Sequence, residues 1–536
     1  MADKQQVNDY RPAELHRLSY WASLKDPLAT VGIPIEEIKT VEVEAVKRGL
    51  FSERLWYFIH FVDQDNARRG SVFAKVHHPL KPMDDLARQA VHLGFWNRCN
   101  FPTPKYIDYL EAVDRFEGKD YRTSALVMEQ FKSWTIDKYL IAINQVLGRW
   151  SEADNFVPPK KRDQIEALKK LRLDLLGQSL EVLVNLAIVG TSTLNNQKNI
   201  LNAEVLINTP EPNEKAFIEK GKKAMIYAIC WSYIQTGIVS RVDLDKVLTG
   251  QGELSSELMN VKRTIAQYNA LLSETLHYMF PFILNLKVYS QGDPEPHNFS
   301  AKKENGSFKV NIFDSSHAGW GSLYEIFARF LTNPFLGISR QESIETFLRV
   351  QKETHIRASE SNLDIGQRLN PTEALKSFGF LSAYDLLVRI GRFAFHDLGK
   401  NWEYWRDFVS QSLVYSPLGA PILDDFFKDT AQLEDPSIGR VSMGAYKPEL
   451  VIPILRRRLE EVLIELGDHD LNSEEAEVVK TLFRLTKDHM DPKTLLSGSN
   501  GPPLIARSGT SEGPSSFRPV SHFRNHTPQQ KVESVN

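Results

Sequence analysis

Three polar residues stand at spacings that suit one kind of chemistry. Asp293 follows Gly292, just after an apolar run at Phe282–Val288, and Asn298 stands five residues later. A turn at Asn305-Gly306 and an alternating run, Phe308–Phe313, then lead to a second carboxylate, Asp314. An acid, a nearby amide, a hairpin and a second acid can together hold a hydroxyl nucleophile and a Mg²⁺ ion for phosphoryl transfer. Asp293 would orient or deprotonate the hydroxyl. Asn298 and Asp314 would ligate the metal, which favours one or two carboxylates plus substrate phosphates over a full protein cage. Each residue also has a plainer reading. Gly, Asp, Pro and Asn all favour surface turns, and an acid after a strand is often a loop or helix-capping residue. The pattern D-x-x-x-x-N recurs by chance in long chains, so its weight comes from its position after an apolar run and before a hairpin.

Lys75 belongs with these residues if the chemistry is right. It lies in V-F-A-K-V, the last of three consecutive β-prone runs. A charge among apolar neighbours there could reach nucleotide phosphates. The plainer reading is a strand-end lysine with its ammonium in solvent.

Positioning these residues needs a sheet and a helical body. Thr40–Val46, Leu55–Val62 and Ser71–Val76 alternate or are rich in aromatic and β-branched residues, which predicts an antiparallel meander. Met83–Asn97 reads as a helix with Asp84 and Asp85 in its first turn, stopped by Phe101-Pro102-Thr103-Pro104. Lys105–Leu110 and Ser124–Glu129 read as two further strands on either side of a charged loop, Asp114–Lys119. Residues 40–130 therefore read β-β-β-α-β-β, after a helical, partly ordered lead-in at 1–39. From Trp134 the period becomes helical, over Lys161–Val189, Ala216–Ile238 and Leu254–Met279. It stays helical beyond Asp314, over Leu323–Leu331, Arg340–Glu353, Thr372–Leu398, Trp402–Val414 and Pro448–Leu466. Asn472-Ser473-Glu474-Glu475 reads as the cap of one more helix. Residues 491–536, rich in Ser, Gly, Pro and Asn, read as a disordered tail.

With these pieces in order, the chain resembles the aminoglycoside phosphotransferase and choline kinase family. The resemblance is carried by Gly292-Asp293, Asn298, Ile312-Phe313-Asp314, Ala318-Gly319-Trp320-Gly321 and Tyr324-Glu325-Ile326. In the N-terminal part it is carried by Lys75, Arg88-Gln89-Ala90, Phe101–Tyr106 and Leu126–Phe131. It covers about residues 40–135 and 280–332. It implies an α+β, bilobal protein kinase-like fold: a small antiparallel β lobe at 40–130 and a large, mainly helical lobe at 131–490 that carries the catalytic loop. It also implies ATP and Mg²⁺ as cofactors and a hydroxyl of a small molecule as acceptor. Asp293 would be the catalytic residue, and Asn298 and Asp314 the metal ligands. Lys75 would hold the nucleotide phosphates, Gln89 would belong to the nucleotide-binding set at the position that pairs with the lysine, and Met128, Glu129, Gln130 and Phe131 would form the segment that receives adenine. Two positions differ from the family pattern. Gln291 replaces a histidine that braces the loop, and Gln89 replaces a glutamate that pairs with the strand lysine, with Asp85 one turn earlier as another partner for it. A second reading follows from these differences: a kinase-like scaffold, weakly active or inactive, that binds a protein partner.

Composition narrows the rest. At 536 residues the chain exceeds what one core usually supports, so two or three domains or lobes are expected. A formal charge of −3 gives no electrostatic basis for nucleic acid or an anionic membrane as partner. The N-terminus lacks an apolar signal core, and no run reaches the length of a membrane span. Cys99 and Cys230 stand in no metal-ligand spacing, which suits a reducing, cytoplasmic location. His77-His78 reads as a solvated turn, and Arg456-Arg457-Arg458 as the polar face of a helix balanced by Glu460 and Glu461.

Overall fold

The computed structural model describes residues 12–46, 55–77, 86–116, 119–130, 135–137, 139–140, 143, 159–195, 205, 211–240, 254–304, 307–365, 370–398 and 448–496. The chain separates into two compact units. The first comprises residues 1–212, 281–382 and 403–451, and the second comprises 213–280, 383–402 and 452–536. Asp85, Phe131, the turn around Gly49, the Trp402–Val414 run and the tail from residue 497 lie outside the described residues.

The first unit opens on two short helices, α1 (Leu18–Ser23) and α2 (Lys25–Thr30). A five-stranded antiparallel sheet follows: β1 (Ile38–Val46), β2 (Leu55–Asp63), β3 (Arg68–Val76), β4 (Tyr106–Phe116) and β5 (Lys119–Glu129). The strand order is β1-β2-β3-β5-β4. Because side chains alternate across a strand, the two faces have different characters. Tyr57, Ile59, Phe61, Val72, Ala74, Val76, Ala125 and Val127 form one face and join Leu15, Trp21, Leu28, Ile33 and Ile35 in a buried core. Trp21 meets Phe61 edge-on at 5.1 Å and donates its indole N–H to Leu15 O. The helical segment from Leu15 to Ile35 thus covers one face of the sheet. The opposite face carries Lys75, paired across the sheet with Trp56 and Leu126, and Phe73, paired with Phe58 and Met128.

Two local readings of the sequence change here. Most of the charged stretch expected as a loop at Asp114–Lys119 continues the strands: Asp114 pairs with Tyr121, Arg115 with Asp120 and Phe116 with Lys119. His77 is buried, at 3% exposure, and not in a solvated turn. It prolongs the β3–β5 pairing, since its N–H donates to Ser124 O and its C=O accepts from Thr123 Oγ1.

Helix α3 (Leu86–Arg98) buries Leu86, Gln89, Ala90, Leu93 and Trp96, one stripe at three- and four-residue spacing. Its end is tied to the Pro-x-Pro turn by Asn97, which donates to Pro104 O and accepts from the Tyr106 N–H. Helix α4 (Pro159–Asn195) packs behind the acid-bearing segment. By length and composition its Ile165–Asn195 stretch is long and apolar enough to cross a membrane, contrary to the sequence expectation. Its Leu, Val, Ile and Ala residues are interrupted by Gln178, Ser179, Glu181 and Asn185 and so form no unbroken run, and 61% of its most apolar window is buried inside the molecule.

In the second unit, α5 (Glu214–Gln235) packs against the later part of α6 (Ser256–Leu284), where Gly221 admits Leu276. In the first unit, helices α7 (Leu323–Leu331) and α8 (Arg340–Glu360) follow the hairpin region, and the chain passes into the second unit within α9 (Pro371–Leu398). Helix α10 (Pro448–Gly467) leads to α11 (Ser473–Arg484), which starts with a capping box of Asn472 and Glu475. The order expected to fail at Asp491 continues to Leu496, because Asp491 pairs with Arg456 at 2.6 Å and a helical turn, Pro492–Leu496, follows. Of the three arginines, Arg457 is exposed, while Arg458 is turned partly inward, where burial lowers its guanidinium pKa from the ordinary value.

Candidate active site

The acid-bearing segment is built on two small antiparallel ladders of the first unit. Strand β6 (Lys287–Ser290) pairs with β9 (Gly319–Ser322), and β7 (Phe299–Glu304) pairs with β8 (Ser307–Ile312). The loop 291–298 leaves β6, and residues 313–318 join β8 to β9, so the two ladders bring both loops to one place. Gly292 makes this approach feasible. Its φ is +79°, and a Cβ there would lie 1.8 Å from His317 O.

Gln291 joins the two loops. It is fully buried, accepts the Asp293 N–H on Oε1 at 3.0 Å and donates from Nε2 to Asp314 O at 2.8 Å. An amide, with an acceptor at one end and donors at the other, makes both bonds at once. Asn298 is 2% exposed, and its Nδ2 donates to Asp293 O at 2.8 Å and to Asp293 Oδ2 at 3.3 Å. The end of its side chain turned from Asp293 is the amide oxygen. A main-chain bond from Phe313 N to Asn298 O, 3.0 Å, carries the linkage on to the residue before Asp314.

Asp314 has a left-handed backbone, φ +63°, which aspartate tolerates better than most residues. Its Oδ1 accepts from Lys75 Nζ at 3.1 Å and from the Ser316 N–H at 3.3 Å. The acid is therefore both the cap of the 3₁₀ turn Ser315–His317 and the partner of the strand lysine. Lys75 itself is 7% exposed and is not a solvated strand end. Gln89, fully buried, offers Oε1 to Lys75 Nζ at 3.5 Å, a weak contact without opposing charge.

Met128 shares the Lys75 face of the sheet and is buried. Glu129 accepts from Lys105 N–H through its carboxylate and donates its own N–H to Lys105 O, so those groups are committed to the neighbouring strand. Gln130 is half-buried beyond the end of β5, and Phe131 lies outside the described residues.

Several bracing residues escape sequence reasoning. The Arg88 guanidinium donates to Ser316 O, and Arg329 donates to Gly292 O. Asn333 donates to the buried Glu295 at 2.7 Å. Glu295 gives the one visible signal, a carboxylate inside an otherwise turn-forming loop.

Asn298 and Asp314 offer hard oxygen donors, a carboxylate and an amide carbonyl, which suit Mg²⁺ completed by phosphates and water. Among the described residues no group of three or more His, Cys, Asp or Glu side chains is placed to hold a metal ion.

An antiparallel N-terminal sheet with a lysine on its third strand, a helix packed beside it and a mainly helical remainder that carries the acid loop define the kinase-like α+β class. Comparison with protein-family models and with curated proteins finds no match. Among solved structures, the chain is similar to an ethanolamine kinase from Plasmodium vivax, at 9% identity and TM-score 0.39, over 79% of this chain and 93% of that one. It is similar to a choline kinase from Cryptosporidium parvum at 11% identity and TM-score 0.35, over 77% and 98% of the two chains. It is also similar to an aminoglycoside phosphotransferase from Streptomyces rimosus, at 11% identity and TM-score 0.30, over 65% and 92%.

Proposed function

We propose that this chain transfers the terminal phosphoryl group of ATP to a hydroxyl of a small molecule. The observation that carries the reading is the Lys75–Asp314 contact, with Asp314 tied through Gln291 to the loop of Asp293 and Asn298. Lys75 would hold nucleotide phosphates. Asp293 would accept the hydroxyl proton or orient the hydroxyl. Asn298 and Asp314 would hold Mg²⁺, which, when bound, neutralises charge on the transferring phosphate. The protein's own contribution is positioning, and the hydrogen-bonded loops supply it before any ligand arrives.

The test uses the full chain with ATP and Mg²⁺ against a panel of amino alcohols, amino sugars and aminoglycosides, with ADP release as readout. Acceptor-dependent ADP release that disappears in Asp293→Asn supports the reading. One observation favours a second reading, a kinase-like scaffold that binds a protein partner: Lys75 meets an amide at Gln89, where a carboxylate would give it a second charge. Nucleotide-dependent thermal stabilisation without transfer to any acceptor would favour that scaffold.

A further inference from the structure

Tyr289 lies four residues before Asp293, at the centre of a network that the phosphoryl-transfer chemistry does not itself require. Its side chain is fully buried, and its hydroxyl lies 2.9 Å from both Trp96 Nε1 and His92 Nδ1. An indole N–H can only donate, so the tyrosine oxygen accepts from Trp96. His92 Nδ1 is the second polar group at this hydroxyl, with the direction of that bond set by the His92 tautomer. Phe95 meets the Tyr289 ring edge-on at 5.3 Å. Three residues of α3 therefore surround one side chain of β6.

The other side of Tyr289 is equally confined. A Cβ on Gly190 of α4 would lie 2.6 Å from the Tyr289 ring, so the helix backbone presses directly on it. The Tyr289 N–H donates to Thr191 Oγ1 at 2.8 Å. The beginning of α3 is held by a separate set of contacts. Arg88 donates to Ser316 O, Ser315 Oγ donates to Gln89 O at 2.9 Å, and Gln89 approaches Lys75. Helix α3 thus bridges the turn behind Asp314 and the strand that feeds Asp293.

We propose that Tyr289 is a positioning residue that couples the two halves of the site. By fixing α3 to β6, its hydroxyl sets the Lys75–Gln89–Asp314 contact and the Asp293 loop as one body. The proposal rests on the phosphoryl-transfer reading for its effect on rate, and on geometry alone for the coupling.

The experiment compares wild type, Tyr289→Phe, Trp96→Phe and the double variant, all in the full chain. Tyr289→Phe keeps the ring and removes only the hydroxyl. In the folded variant, kcat falls about tenfold while the acceptor KM stays within about twofold, as expected for a lost positioning contact. The double variant is no slower than Tyr289→Phe, because both substitutions remove the same bond. Hydrogen exchange read by mass spectrometry accelerates together in 86–98 and 290–298. A folded Tyr289→Phe protein with wild-type kcat, or faster exchange in only one of the two segments, overturns the proposal. If wild type transfers no phosphate, the functional reading fails on its own, and the exchange measurement still decides the coupling. If Tyr289→Phe does not fold, Trp96→Phe carries the same paired-exchange test.

Discussion

Lys75 Nζ lies 3.1 Å from Asp314 Oδ1, joining residues 239 positions apart in the chain. The lysine is almost wholly buried and the acid only partly so. Each therefore depends on the other, and the contact fixes the β8–β9 connection to the third strand of the sheet.

Asp314→Asn should separate chemistry from folding. Asparagine tolerates the left-handed backbone and can still cap the Ser315–His317 turn. It removes the charge that a metal and Lys75 both need. Phosphoryl transfer is expected to fall by at least about 100-fold, the scale on which removal of a charge-stabilising group is felt. Stability should drop by about 1–3 kcal/mol, since the nearly buried Lys75 ammonium is left with neutral acceptors and no opposing charge. Steady-state ADP release and urea denaturation check the two parts. Full activity in Asp314→Asn would remove this residue from the metal site.

Gln291→Ala is expected to loosen both acid-bearing loops. It removes the acceptor of the part-buried Asp293 N–H and the donor to Asp314 O, and each such loss costs up to about 1–3 kcal/mol. Gln291→His should restore one of the two bonds, because a neutral imidazole has one donor and one acceptor in fixed directions. Stability in urea should rank wild type, Gln291→His, Gln291→Ala. Equal stability of Gln291→Ala and wild type would show that the bridge contributes nothing.

The site's outline was visible in the chain because its parts are punctuated locally. A glycine and an acid after an apolar run, a hairpin and a strand lysine each leave a short-range mark. The sheet was legible for the same reason, through alternation in β1 to β3. What stayed hidden depends on distant partners. His77 looks like a turn residue until Ser124 is seen to extend its strand. Trp21 and Leu28 look like a lead-in until the face of β2 that they cover is known. Tyr289 gives no signal at all, since Trp96 and His92 lie 193 and 197 residues away. The Arg88–Ser316 and Arg329–Gly292 bonds are invisible likewise, because an arginine bound to a main-chain carbonyl has no sequence pattern.

Gly292→Ala should be among the most damaging single-methyl changes in the chain. The added Cβ meets a main-chain oxygen, which cannot turn aside as a side chain could, and φ is +79°. Backbone strain of this kind costs on the order of 1–3 kcal/mol before the clash is counted. The thermal midpoint should fall by several degrees, and amides of 291–298 should exchange faster. A wild-type midpoint would show that the loop relaxes freely.

His489 provides a pH dependence in the second unit. Burial lowers its pKa below the ordinary value, and neighbouring Asp488 offsets this only in part. The ring lies 5.0 Å from Tyr268 in an edge-on contact. As pH falls through about 6.5, the unfolded chain takes up a proton that the folded chain resists. The unfolded state then binds more protons, so His489 lowers stability as pH falls below about 7.5 towards its lowered folded-state pKa and ceases to matter above that range. His489→Phe, which keeps a ring against Tyr268, should flatten this part of the profile of thermal midpoint against pH. An unchanged slope would assign it to other groups.

Gln89→Glu tests whether the missing charge limits the site. The position is buried and faces Lys75, with Asp314 as the other partner of the same ammonium. A carboxylate at 89 would convert a weak neutral contact into a charge-assisted one, roughly twice as strong. It would hold the lysine between two acids, so that Asp314 is less tightly bound to Lys75 and freer to take a metal. Affinity for ATP with Mg²⁺ should rise about fivefold, equivalent to about 1 kcal/mol. A titration of thermal stability with nucleotide measures this directly, since stabilisation grows as RT ln(1 + [L]/Kd). If affinity rises and transfer rises with it, Gln89 tunes an active enzyme. If affinity rises and no acceptor is phosphorylated, the same substitution points to the scaffold. Unchanged affinity would mean that the Lys75–Asp314 pair alone governs the nucleotide end of the site.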